Sequence, residues 1–277
     1  MVRADCELHV GVNSVGIDER NLMPSKLDFS KELSGRRALV TGGTRGIGAA
    51  IAQRLLDAGA KVVVTARSRG EAIPSGATFV AGDVTSVDGV KGIAAEALGV
   101  LGGLDILVNN AGGGRPFPDG TASIPDEEWQ SGFALNLFSA VRLTNALLPA
   151  LRESKAGAIV NISSTAATMP FGAFAHYGAA KAALDFYSRT LAVDLAPSGI
   201  RVNVVSPGPV TTPGGDETRK ALSDASGAPA DAFTQYVPLG HLGSADDVAE
   251  VVALLVSERG KWLTGGNIRV DGGMTAR

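Results

Sequence analysis

The sequence predicts a single Rossmann-type, doubly wound α/β domain: a seven-stranded parallel sheet flanked by helices on both faces. Three observations predict it. From residue 36 onward, short aliphatic runs alternate with longer amphipathic stretches, the order that builds a parallel sheet through right-handed crossovers. The aliphatic runs are β-branched with little polar alternation, so their strands should be buried on both faces. A glycine-rich turn joins the first run to the first helical stretch. At 277 residues the chain suits one large domain, with no repeat at solenoid period.

In chain order, residues 1–34 lack strong periodicity and read as an N-terminal extension to a domain spanning 35–277. RRALV (36–40) is the first strand, followed by the helical GAAIAQRLLDAGA (48–60). KVVVTA (61–66), ATFVAGDV (77–84), DILVNNA (105–111), AIVNIS (158–163), IRVNVVS (200–206) and NIRVDG (267–272) are the other six strands. Helical stretches separate them, among them 127–154 and 178–196. Segment 207–240 is rich in Pro, Gly and Asp and long for a connection, which marks it as a lid or binding loop.

Bulk properties narrow the function. The net charge of −3 gives no footprint for non-specific nucleic-acid binding. Cys6 is the sole cysteine, which excludes an intrachain disulfide or a cysteine metal cluster and fits a reducing compartment. His9, His176 and His241 are scattered without metal-ligand spacing, so no metal site is expected. Charges interrupt the N-terminus before any signal-length apolar core forms, and the other apolar runs are too short to span a bilayer. The expectation is a cytoplasmic protein that engages neither membrane nor nucleic acid.

The turn LVTGGTRGIGAAI places Gly42, Gly46 and Gly48 in a G-x-x-x-G-x-G pattern between strand and helix. Backbone without Cβ lets a pyrophosphate approach, and a helix N-terminus offers free N–H groups and a positive dipole end. At the end of the second strand an acidic residue would bond the ribose of NAD, whereas a basic one accommodates a 2′-phosphate. The sequence has Ala66 there, followed by Arg67, with Arg45 in the glycine loop. NADP(H) is therefore the favoured cofactor, with NAD(H) as the alternative.

Tyr177 and Lys181 stand four apart at the start of a helical stretch and so share a face. A free phenol, with a pKa of about 10, is a poor acid or base at neutral pH. An ammonium ~4 Å away contributes at most about 4 kcal/mol at an effective dielectric near 20, enough to pull the phenol toward a useful range. Ser164, ending a strand, could bond the same substrate oxygen. By themselves the three also read as a helix surface and a turn cap.

The wider pattern resembles the classical short-chain dehydrogenase/reductase family from about residue 35 to 273. The matching pieces are TGGTRGIG (41–48), DV (83–84), NNAG (109–112), Asn136, Ser164 with Tyr177-x-x-x-Lys181, PG (207–208) followed by Thr212, and TGGNIRVDGG (264–273). The 13-residue interval to Tyr177 selects Ser164 over Ser163. The resemblance implies an oxidoreductase that interconverts a carbonyl and a secondary alcohol, working as a reductase on a small-molecule substrate. Tyr177 would transfer the proton, and Ser164 would orient the oxygen. Lys181 would lower the phenol pKa and bind ribose hydroxyls, and Asn136 would hold a water linking Lys181 to solvent. Asp83 and Val84 would flank adenine. Asn109, Asn110, Ala111 and Gly112 would line the crevice beside Thr44 and Ile47 of the loop. Pro207, Gly208, Val210 and Thr212 would meet the carboxamide.

By the same analogy, 113–120, 165–175 and 209–240 would form the substrate pocket. They offer Phe117, Met169, Phe171, Phe174, Phe233 and Tyr236, with Arg115 and His176 as polar candidates. Trp129 and Trp262 read as packing residues. The family association implies a homotetramer built partly on the helices carrying Asn136 and Tyr177. A β-ketoacyl-thioester reductase and an NAD-dependent small-alcohol or sugar dehydrogenase fit the same motifs. A non-catalytic nucleotide sensor is the alternative from another class.

Overall fold

The structure, a computed structural model, describes residues 29–70, 72–227, 229 and 232–276. Its sheet contains β1 (Arg37–Thr41), β2 (Lys61–Ala66), β3 (Thr78–Ala81), β4 (Ile106–Asn109), β5 (Ala158–Ile162), β6 (Arg201–Pro207) and β7 (Asn267–Val270). All pairings are parallel, in the order β3-β2-β1-β4-β5-β6-β7. The seven aliphatic runs thus become the seven strands. The order reverses between β1 and β4, and a crevice at the carboxyl ends of the strands beside such a reversal is where doubly wound folds bind ligands.

The strand side chains divide by the two-residue period of a pleated sheet. Ala38, Val40, Val62, Val64, Ile106 and Val108 face α1 (Gly46–Asp57) and α7 (Ala245–Val256), whose Ile51, Leu55, Val248 and Val252 complete that layer. Leu39, Val63, Leu107, Ile159 and Val202 point the other way. There they meet α2 (Val87–Leu101), α4 (Ser139–Glu153) and α5 (Ala175–Leu195) through Ile93, Leu143, Leu147, Ala192 and Leu195. Burial of each such aliphatic side chain contributes about 1.5–3 kcal/mol.

Two segments differ from the sequence reading. The stretch 127–154 is interrupted: α3 (Asp126–Phe133) passes into a π turn, Ala134–Phe138, before α4 begins. The rod Asp126–Glu153 is also long and apolar enough to cross a membrane by length and composition, contrary to the reading that every apolar stretch is too short. In this fold it packs against α2 and α5. Segment 207–240 is no open loop. It holds α6 (Pro213–Ser226), capped by the Thr212 hydroxyl accepting from Gly215 N–H at 3.1 Å.

Of the N-terminal 34 residues, 29–34 pack on the domain. Leu33 is fully buried in the α1 layer, and the Glu32 carboxylate grips Arg54 of α1 and Arg259 beyond α7. Cys6 and His9 lie outside the described residues.

Candidate active site

The carboxyl edge of the sheet is built around the glycine loop. Gly42 (φ +64°) and Gly46 (φ +53°) occupy the left-handed region that favours glycine. Gly48 is needed for closeness instead, since a Cβ there would fall 2.2 Å from the Gly42 carbonyl oxygen. Asn110 clamps the loop from β4: its Nδ2 donates to the carbonyls of Thr41 (2.9 Å) and Gly42 (3.3 Å). The Thr41 hydroxyl accepts from the N–H groups of Asn110 and Ala111, both at 2.9 Å. Helix α1 starts after Arg45 with no side chain capping its N–H groups. A cradle without Cβ atoms at an uncapped helix start fits a phosphate.

A cavity of about 910 Å³ runs along this edge. Over β2 and β3 its wall includes Arg67, Asp83 and Val84, and over β1 it includes Gly42, Thr44, Arg45, Gly46, Ile47 and Gly48. Asn110, Ala111 and Gly112 follow β4, and Ser164 follows β5. Gly208, Val210 and Thr212 follow β6. Hydrogen bonds from the Thr85 N–H (2.8 Å) and hydroxyl (2.7 Å) hold the Asp83 carboxyl below the usual range, helped by the nearby charge of Arg67. The Arg45 guanidinium reaches across the mouth to within 4.0 Å of Glu217 on α6.

At the β5 end, the Ser164 hydroxyl accepts from Ala166 N–H at 3.1 Å, opening a short turn. Tyr177 sits in the first turns of α5 and lines the cavity. Its side chain is partly buried, and the crowded walls desolvate the phenol and push its pKa up, against a hydrogen bond with Ser164. Lys181 lies one layer deeper, 3% exposed, its Nζ donating to the Ile162 carbonyl at 2.8 Å and 5.8 Å from the Tyr177 ring centre. Burial pulls its pKa down to about 8, with Asp185 opposing. Desolvation sets the direction of the Tyr177 phenol, and the Lys181 ammonium behind it directs one proton at the Ile162 carbonyl.

Asn136 is buried in the π turn, a distortion frequent at functional sites. Its Nδ2 donates to the carbonyls of Gly113 and Gly132, both at 2.9 Å, and its Oδ1 accepts from Gly113 N–H at 3.0 Å. It pins the loop after β4. Gly112 is the spacer in front, since a Cβ there would fall 2.8 Å from Asn136 Oδ1 and 2.9 Å from Lys181 Nζ. Asn136 and Lys181 thus stand behind the cavity wall rather than in it.

Other expectations shift. Asn109 does not line the crevice; it turns inward, donating to Asn161 Oδ1 at 2.8 Å. Pro207 ends β6 within the sheet, and Pro209 takes its place on the wall. Phe171, Phe174 and Phe233 line the cavity, whereas Met169 and Tyr236 border a separate pocket of about 230 Å³. His176 is buried edge-on to Phe117 (5.6 Å) and Trp129 (6.3 Å), and its pKa is lowered by that burial. Arg115 is paired with Glu128 at 2.8 Å and stacks on Phe117. Neither faces the cavity. Leu135 and Met274 do, outside the segments expected to form the pocket, and Arg219 and Leu222 do from within 209–240. Only the i, i+3 spacing of Asp216 and Arg219, which are hydrogen-bonded, hinted at a helix there. Among the described residues no cluster of His, Cys, Asp and Glu could hold a metal.

A glycine-cradled crevice at the switch point of a parallel sheet, ending in a Ser–Tyr pair backed by a lysine, defines a nucleotide-binding oxidoreductase. Residues 42–275 match the family described as enoyl-(acyl carrier protein) reductase. The 3-oxoacyl-[acyl-carrier-protein] reductase FabG of Escherichia coli is 39% identical over 246 residues, 87% of this chain and 97% of the relative. L-sorbose reductase from Gluconobacter frateurii, solved with NADPH and L-sorbose, superposes with a TM-score of 0.82 at 33% identity, covering 90% of this chain and 99% of its own. A short chain dehydrogenase from Burkholderia cenocepacia, solved with NADP, gives 0.78 at 35% identity, with 88% and 99% covered. The chain belongs to the classical short-chain dehydrogenase/reductase family and is an oxidoreductase acting on carbonyl and alcohol groups.

Proposed function

We propose that this protein reduces the ketone of a 3-oxoacyl thioester with NADPH, Tyr177 being the proton donor. The observation that carries the reading is the Ser164–Tyr177 pair facing the cavity with its phenol held protonated. A protonated phenol is the form that reduction consumes. The 39% identity to a 3-oxoacyl reductase supports the substrate class. Arg67 at the end of β2, the absence of an acid at Ala66, and two neighbours solved with NADPH or NADP support the cofactor.

When bound, the nicotinamide supplies the hydride. The chain's own residues do the rest. Ser164 and Tyr177 donate hydrogen bonds to the carbonyl oxygen, favouring charge that develops there. Proton transfer from the phenol to that oxygen is downhill, because an alkoxide is the far stronger base. The Lys181 ammonium then steadies the phenolate left behind. We propose in addition that copies of the chain assemble as a homotetramer through the face of α4 and α5, where Phe138, Phe186 and Val193 are exposed.

The test is NADPH oxidation with acetoacetyl-coenzyme A, crotonyl-coenzyme A and L-sorbose in parallel, beside NADPH and NADH titrations of the wild type and Arg67→Ala. Turnover should be confined to acetoacetyl-coenzyme A, and Arg67→Ala should weaken NADPH about tenfold or more while sparing NADH. Turnover of crotonyl-coenzyme A alone would make the protein an enoyl reductase. Reduction of L-sorbose alone would move it among the sugar reductases, and tight binding without any turnover would make it a nucleotide sensor.

A further inference from the structure

The face of α5 that carries Tyr177 and Lys181 continues one turn further to Asp185, at i, i+4 and i+8. One oxygen of this carboxylate is held and the other is idle. Oδ2 accepts from Asn267 Nδ2 at 2.9 Å, whereas Oδ1 is buried without a hydrogen-bond partner. Asn267 lies on the edge strand β7 and is itself fixed, its Oδ1 accepting from the Ser206 hydroxyl at 2.8 Å. Ser163, next after β5, stands alongside: its hydroxyl lies 3.4 Å from the Lys181 carbonyl and also eases the charge on Asp185, whose pKa burial raises.

A buried carboxylate oxygen without a donor is costly and calls for an explanation. The cations whose fields reach Asp185 are Lys181 and, on its exposed side, Arg189. The reverse holds for Lys181. Its Nζ meets the Ile162 carbonyl of β5, and Asn136 of the π turn and Gly112 stand against it. Tyr177 is the neighbouring titratable group on its own helix, and Asp185 is the anion that acts on it.

We infer that Asp185 is a positioning residue of this site: held from β7 by Asn267, its carboxylate keeps the Lys181 ammonium charged and aligned behind Tyr177. The inference rests on the reading of Lys181 as the support of the Tyr177 phenolate. Burial alone drives an ammonium toward its neutral form, and a neutral amine cannot steady a phenolate. A carboxylate one turn away, outside salt-bridge distance, offsets that burial without capturing the proton that Lys181 directs at Ile162.

The deciding measurement is an NMR titration of the cofactor-free protein labelled with ¹³C-lysine, the Lys181 signal being identified by its loss in Lys181→Arg. The midpoint should lie near 8 in the wild type. It should fall by about one pH unit in Asp185→Asn and return toward the wild-type value in Asp185→Glu. The alkaline limb of kcat/KM for acetoacetyl-coenzyme A reduction should move with it. An unchanged midpoint overturns the role of Asp185. A shifted midpoint with an unmoved kcat/KM profile overturns instead the role of Lys181 on which it rests. Should Asp185→Asn not fold, Asn267→Ala on the exposed edge strand must shift the midpoint in the same direction, and failure to do so counts equally against the proposal.

Discussion

Tyr177 and Lys181 are pushed by one cause in opposite directions. Burial disfavours the charged form of each, so the phenol rises and the ammonium falls to about 8. At neutral pH both therefore keep their protons, which is the state a reduction starts from. Removing the phenolic oxygen deletes the donor while leaving the ring edge-on to Phe174 at 6.3 Å. Tyr177→Phe should lower turnover at least about a hundredfold, the scale of general acid catalysis, with NADPH affinity within a few-fold of wild type. Loss of NADPH binding in a fluorescence titration would show that the residue holds the cofactor rather than the proton.

The first turn of α5 illustrates what an element contributes beyond the residue it presents. His176, next to Tyr177, is 1% exposed and packs between Phe117, Trp129 and Gly132, its Nδ1 without a partner. Its folded pKa is lowered by burial, with Glu128 opposing and Arg115 adding to the fall. The unfolded chain therefore takes up the proton first. The packing contribution is complete above about pH 6.5 and is lost as pH falls toward the depressed folded value. Melting temperatures of the wild type should drop by a few degrees more between pH 7.5 and 5.0 than those of His176→Leu. Parallel slopes would show that the ring titrates in contact with water.

Elements were also where the sequence was most and least legible. The strands declared themselves by short runs rich in aliphatic residues, and Tyr177 and Lys181 by helical spacing. Helix α6 hid behind Pro213, Gly214 and Gly215, which read as loop residues although proline in a first turn costs a helix nothing. Asn109 and Asn110 look equivalent in sequence, but successive side chains at a strand end point to opposite sides, so only Asn110 reaches the glycine loop. The depth of Lys181 behind Gly112 depends on how α5 packs against β5 and the π turn, and no local pattern encodes it.

For the molecule as a whole, the outward side of α4 and α5 carries one exposed aromatic patch, while Trp262, expected to pack, is 96% exposed elsewhere. Phe186 and Val193 lie seven residues apart on one stripe of α5, and Phe138 stands where the π turn enters α4. Arg189 and Arg142 lie over the rings of Phe186 and Phe138, both at 5.6 Å. Light scattering should give four times the monomer mass for the wild type and a smaller species for Phe186→Glu combined with Val193→Glu. A monomeric wild type would remove the assembly from the proposal.

The strand order also governs how the chain comes into being. β1 ends at Thr41 and can pair with β2 almost as soon as it is made, but its other neighbour, β4, begins only at Ile106. At ~5–20 residues per second that partner leaves the ribosome about 3–13 s later. Through that interval Leu39 and Val40 lie on an open, apolar edge at what will become the centre of the sheet. The seam under the glycine loop thus stays open until β4 arrives, after β2 and β3 have already formed, and a nascent chain stalled between residues 41 and 106 is exposed there to aggregation and to capture by chaperones.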